Sequence, residues 1–157
     1  MSLKVLSPVF SEGTPIPRRY TGDGEDLSPP LSWSGLPAAA RELALIVDDP
    51  DAPTKEPWVH WVIYNLPSTL SELAEGITPI AHAPVAPGVV QGKNSWNSVG
   101  FQGPAPPKGH GIHHYYFRLY ALDTSLRLPE GLDKAGLLKR MEGHIVSEAV
   151  LMGTYHR

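Results

Sequence analysis

From Leu43 to Pro67 apolar residues dominate, interrupted once by an acidic, proline-bearing turn. In an extended chain successive side chains point to opposite faces. Leu43, Leu45, Val47 and Asp49 therefore share one face of a predicted strand over 43–48 and its end. Trp58, His60, Val62 and Tyr64 share one face of a second strand over 58–65. Pro50, Pro53 and Pro57 stiffen the turn between them. An acid and a histidine at the working ends of two apolar strands predict a pocket. Residues 112–123 form the clearest strand, since Tyr, Phe and Ile suit a pleated surface. His113, Tyr115, Phe117, Leu119 and Ala121 make its more apolar face, which should point inward. His114, Tyr116, Arg118 and Tyr120 make the other, expected to be wet or at an interface.

The remaining pattern is weaker. Val5 and Val9 flank Pro8 in an opening edge strand. Residues 31–33 read as a short strand and 146–155 as the last one. Residues 68–76 carry Leu, Glu and Ala between a Ser/Thr cap and a Gly stop, which predicts one or two helical turns. Residues 133–142 are the best helix, capped by Asp133 with Leu137, Leu138 and Met141 on one side. Residues 77–110 have no sustained period and read as a long loop. Trp96 and Phe101 within it predict that the loop is packed. Short strands separated by turns, with one or two short helices, predict a mainly β, sandwich-like single domain over 1–157.

Composition narrows the function. The 157 residues suit one domain, and 41% hydrophobic content supports a core. There are 17 prolines and 15 glycines, about a fifth of the chain against a usual share of roughly 12%. The formal charge of −3 and the lack of a Lys/Arg run argue against nucleic acid. Without cysteine there is no disulfide and no thiolate metal site. No stretch approaches the about 18 apolar residues of a membrane span, and the first residues lack a signal-peptide core. A cytoplasmic protein without integral membrane association is the expectation.

Asp49, His60 and His113 lie on the inward faces of three different strands, so only the fold can unite them. Each also has an ordinary structural role available: a turn cap for Asp49, a satisfied core position for either histidine. If they converge, two chemistries stay open. Two imidazoles and a carboxylate could hold a metal with open positions. Alternatively, the carboxylate would keep an imidazole protonated, and the imidazole would bind an anion; Asp49 would orient and charge His60. Gly103–Pro107 (GPAPP) would frame that pocket, with N–H groups only at Gly103 and Ala105. Trp58 and Tyr115 would be its apolar wall. His110, with Lys108, reads as a mobile loop tip, and both His110 and His114 as solvated. Ser95 and Ser98 are candidate nucleophiles nearby, but no GxSxG elbow is present.

The segments DPDAP at Asp49–Pro53, WVHW at Trp58–Trp61 and GPAPPKGHGIHHYYF at Gly103–Phe117 resemble the phosphatidylethanolamine-binding protein family, which includes the Raf kinase inhibitor proteins. YTGDGEDLSPPLSWSGLP, GKNSW and EGHIVSEAVLMGTY are similar to its bacterial and archaeal branch. The resemblance covers nearly the whole chain. It implies an antiparallel β-sandwich with a small anion pocket at one end. That pocket would use Asp49, Trp58, His60, His113 and Tyr115, lined by Pro53, Gly103, Ala105, Pro106 and Pro107. It would bind phosphate or phosphorylated head groups, without a cofactor or metal. Modulation of a kinase or protease is also implied. A protein-interaction scaffold with a vestigial pocket, or a weak phosphoester hydrolase, is the alternative, and no enzyme activity is assured.

The chain departs from the family pattern in places. Ala105 stands where bacterial relatives often have cysteine, so thiol regulation is excluded. The pocket-covering C-terminal helix of mammalian members has no counterpart, so the pocket should be more open or closed by a second subunit. A homodimer is therefore expected, using the aromatic outer face of Ile112–Asp123. The resemblance further implies cis peptide bonds at Ala52–Pro53 and Glu56–Pro57.

Overall fold

The computed structural model describes residues 2–157. Two antiparallel sheets form the body. The smaller contains β1 (Lys4–Leu6), β2 (Leu31–Ser34) and β5 (Glu72–Leu73), in the order β1-β2-β5. The larger contains β3 (Glu42–Asp49), β4 (Trp58–Pro67), β6 (Val90–Gln91), β7 (His113–Leu122) and β8 (Ile145–Tyr155), in the order β6-β4-β3-β7-β8. One helix, α1 (Lys134–Met141), lies between β7 and β8 in sequence. The mainly β, antiparallel sandwich is as expected.

Strand β3 is central, and all eight of its residues are buried. A strand buried on every residue must be covered on both faces. Its first face packs Leu43, Leu45 and Val47 into the main core, with Trp33, Trp61, Phe117 and Leu119. Its second face places Ala44 and Ile46 in a separate core with Val62, Tyr64, Tyr120, Leu137 and Met141. The β7 face expected to be wet is thus partly covered: Tyr120 is buried there. Helix α1 provides that cover because its apolar residues, Leu137 and Met141, are a turn apart and both buried. The Asp133 carboxylate accepts the Gly136 N–H at 2.8 Å, capping the helix start.

The helical turns predicted over 68–76 do not form. Glu72 and Leu73 instead pair with Ser32 and Leu31, and Leu73 is buried in the main core. The Leu70 carbonyl accepts the Trp33 indole N–H at 2.9 Å. These tertiary partners outweigh a local propensity worth only tenths of a kcal/mol per residue. The long 77–110 segment is ordered as expected. Gln91 anchors it: its side chain accepts from the Trp61 indole and donates to the Thr78 and Ile80 carbonyls.

Two predicted features of the acidic turn and its flanking strand are corrected. No cis peptide bond occurs among the described residues, so Ala52–Pro53 and Glu56–Pro57 are both trans. The turn is long and largely exposed, and reverses the chain through local bonds from Asp51 N–H to Asp49 and from Thr54 N–H to Ala52. Nothing in it overcomes the trans preference of roughly 0.5–1 kcal/mol. The second correction concerns β4. Val47 pairs with Trp61 and Asp48 with Val59, leaving His60 as the extra residue of a β-bulge. Trp58 and His60 therefore face the first side, whereas Val62 and Tyr64 belong to the second core.

Candidate functional site

The bulge is what delivers His60 to the end of the main core. Asp49 arrives from the last position of β3, and His113 and Tyr115 from the first and third positions of β7. Together they wall a cavity of about 270 Å³. Pro53, Trp58, Ala105, Pro106 and Pro107 complete it as predicted, and Ala52, Thr54 and Trp96 join them. Trp96 was missed as a wall residue because its loop has no period to read. It packs edge-on against Trp58 and His60, with centroids 5.4 and 5.0 Å apart.

Gly103 is the exception among the predicted residues, since it does not line the cavity. Its N–H donates to Asp26 Oδ1 at 2.8 Å. A Cβ there would meet the Tyr20 carbonyl oxygen and the Asp26 carboxylate, so the position is closed to other residues by packing. Its part is to anchor the loop.

The Asp49 carboxylate is fully employed. Its Oδ1 accepts the Asp51 N–H at 2.8 Å, and its Oδ2 accepts His113 Nδ1–H at 2.6 Å. The expected partnership of Asp49 with His60 is corrected: the aspartate holds His113. His60 Nδ1 lies 2.6 Å from the Gln102 carbonyl oxygen. A carbonyl can only accept, so Nδ1 carries the hydrogen. Burial pushes the His60 pKa below its ordinary value, opposed by the Gln102 carbonyl and the Asp49 charge. The neutral ring therefore bears a lone pair on Nε2.

Tyr115 is 1% exposed, and its buried hydroxyl has no hydrogen-bond partner among the described residues. Burial, and then the charges of Asp49 and Asp51, push its pKa far upward, so it remains a neutral donor. His110 was read as a solvated loop tip. It is exposed, but its Nδ1 lies 2.6 Å from His113 Nε2. His114 is likewise engaged: its N–H and Nδ1–H both donate to Asp51 Oδ2, tying the acidic turn to β7.

The competing chemistries fare less well. Among the described residues no three His, Asp or Glu side chains form a metal-holding group. Ser95 Oγ accepts the Val59 N–H, and Ser98 Oγ donates to Gln102 Oε1, so neither hydroxyl is spent on a histidine. A wider hollow of about 740 Å³ opens at the other end of β3, around Arg41, Asn65 and Leu128. Its buried Glu42 accepts the Leu126 N–H at 3.3 Å, which closes the Ser125–Glu130 loop. The smaller cavity is the candidate site, because its wall holds the Tyr115 hydroxyl, without a partner among the described residues, and two imidazoles.

The chain is similar to known proteins over its whole length. A family model described as phosphatidylethanolamine-binding protein matches residues 6–156. A UPF0098 protein of Methanothermobacter thermautotrophicus is 50% identical over 157 residues, covering 100% of this chain and 99% of the relative. The structure of CT736 from Chlamydia trachomatis, described as a homolog of phosphatidylethanolamine-binding protein, is 42% identical with a TM-score of 0.89. It is matched over 99% of this chain and 98% of that one. Escherichia coli YbcL, described as a member of the mammalian family, is 30% identical with a TM-score of 0.92, over 100% of this chain and 99% of its own. No helix among the described residues is long and apolar enough to cross a membrane. The chain belongs to the phosphatidylethanolamine-binding protein family.

Proposed function

We propose that this protein binds a small phosphorylated anion in the cavity between Asp49, His60, His113 and Tyr115. The observation that carries the reading is the Tyr115 hydroxyl, buried without a partner on the cavity wall. An unmet buried hydroxyl costs about 1–3 kcal/mol, and a ligand oxygen would recover it. Asp49 orients His113 through the Nδ1 bond, so that Nε2 is the ring atom available to exchange partners. The volume suits a phosphoryl group with a short substituent. Binding is the reading because the wall offers hydrogen-bonding groups from Tyr115, His60 and His113.

Calorimetric titration with inorganic phosphate tests this. Wild type should bind, and His113→Ala should lose about tenfold or more in affinity. Equal affinity of the two would remove the assignment. The aromatic face of β7 expected to form the homodimer is partly covered by α1, so a second copy would instead meet the edge strand β8, which exposes Val146 and Val150. Light scattering should return twice the chain mass, and a monomer at every concentration would exclude it.

A further inference from the structure

The end of β3 opposite the Asp49–His113 cavity holds an arginine in a strained backbone. Arg127 has a φ of 49°, a left-handed conformation that side chains other than Asn and Asp rarely adopt. Its neighbours on both sides are fastened by polar side chains from the large sheet. The buried Glu42 of β3 accepts the Leu126 N–H at 3.3 Å. Asn65 of β4 brackets Leu128: Oδ1 accepts the Leu128 N–H at 3.1 Å, and Nδ2 donates to the Leu128 carbonyl at 2.9 Å. Such strain persists only where the surroundings over-determine it, and it clusters at sites that hold ligands. Here it keeps Arg127 on the wall of the hollow of about 740 Å³.

Arg41 lines the same hollow, with Nη1 anchored on the Ala38 and Ala40 carbonyls at 3.0 and 3.2 Å. The lysines and arginines that form ion pairs among the described residues are Arg19, Arg118, Lys134 and Arg157. Arg41 and Arg127 are outside that set, so neither guanidinium is matched by a carboxylate of the chain. Two acids share the wall with them. Glu130 Oε2 is engaged by His82 Nε2 at 2.6 Å. Against Glu42 alone, the two guanidiniums leave a surplus of a single positive charge, which suits one carboxylate and not a dianion. A guanidinium fork matches the planar carboxylate by paired N–H bonds. Much of the remaining lining is apolar, from Pro67, Val90, Leu128 and Pro129. The volume falls within the roughly 300–1,000 Å³ of small-molecule sites. We propose that this hollow is a second ligand site, which takes a small monocarboxylate with an apolar body, its head on Arg41 and Arg127 and its body against Leu128 and the prolines.

The test is a backbone-amide NMR titration with hexanoate, and with hexanol and acetate, which keep only the body or only the head. Hexanoate should produce saturable shifts centred on Arg41, Asn65 and the loop from Ser125 to Leu128. Hexanol and acetate should bind about tenfold more weakly or less. Arg41→Gln should lose about tenfold in hexanoate affinity. Arg127→Gly should lose as much, while its urea midpoint stays level or rises, because glycine adopts this backbone freely. A side chain retained for packing would lower that midpoint instead, and this outcome overturns the proposal. So would hexanol binding within about twofold of hexanoate, or either arginine variant binding hexanoate within about twofold of wild type. Hexanoate shifts confined to the Asp49–His113 cavity, or no saturable shift at all, would overturn it as well.

Discussion

Asp48 and Asp49 are neighbours on one strand, both buried, and they do opposite work. Asp48 is 0% exposed and faces the helix side, where Arg118 Nη2 reaches it at 3.1 Å and Lys134 Nζ at 2.7 Å. It ties β7 and α1 to β3, and both cations extend to solvent. Asp49 is 3% exposed and faces the cavity, where its partners are the Asp51 N–H and His113. No fixed cation meets it. One carboxylate is matched by two full charges and stabilises the second core. The other is matched by an imidazole whose far nitrogen is available for exchange. The difference separates a structural acid from a site acid more clearly than burial does, since burial is almost the same for both.

The largest effect should come from Asp48→Ala. Losing its paired cations should cost about 3 kcal/mol, below the full range for buried pairs because Arg118 and Lys134 can rehydrate. Urea unfolding would measure it, and phosphate affinity of the folded protein should stay within about twofold. Loss of binding instead would show that the two faces are coupled.

His60 gives a pH test on the cavity side. Its folded pKa is depressed by burial, so the unfolded chain binds more protons. The stability from the neutral ring is complete above the unfolded value of about 6.5 and is lost as pH falls below it. The slope contributed should approach about 1.4 kcal/mol per pH unit. Urea midpoints from pH 7 to 5 should fall less steeply in His60→Gln than in wild type. Equal slopes would place the titration elsewhere.

Asp49→Asn should reverse the Asp48 result. Stability should drop by only about 1 kcal/mol, since the amide oxygen can still accept. Phosphate affinity should fall about tenfold. A large stability loss with intact binding would make Asp49 a second structural acid. The smallest effect belongs to Tyr115→Phe, which removes an unpartnered hydroxyl. Its unfolding midpoint should correspond to a change within about 0.5 kcal/mol, or a gain. A loss above about 1 kcal/mol would mean that the hydroxyl has a partner in solution.

Strands β3, β7 and β8 and the capped helix were legible in the residues because local patterning and tertiary need agree there. The inward set His113, Tyr115, Phe117, Leu119 and Ala121 followed from alternation alone, and all five are buried. Alternation and loop composition singled out Asp49, Trp58, His60, His113, Tyr115 and Gly103–Pro107, the family resemblance added Pro53 and their convergence, and the cavity wall contains all the predicted lining residues except Gly103. The 68–76 segment, by contrast, favours a helix locally and yields to sheet pairing at Glu72 and Leu73.

Sequence by itself determined which residues are apolar at which spacing, and so the sheets, the helix and the presence of an acid and two histidines near strand ends. Tertiary structure alone decided who holds whom. The β4 bulge resets the two-residue period between His60 and Trp61, which pattern cannot foresee because an inserted residue looks like any other. It set His60 on the Gln102 carbonyl and left Asp49 to His113. Which imidazole the carboxylate holds, and which carbonyl holds the other, are decided by distances of a few ångströms between strands far apart in the chain.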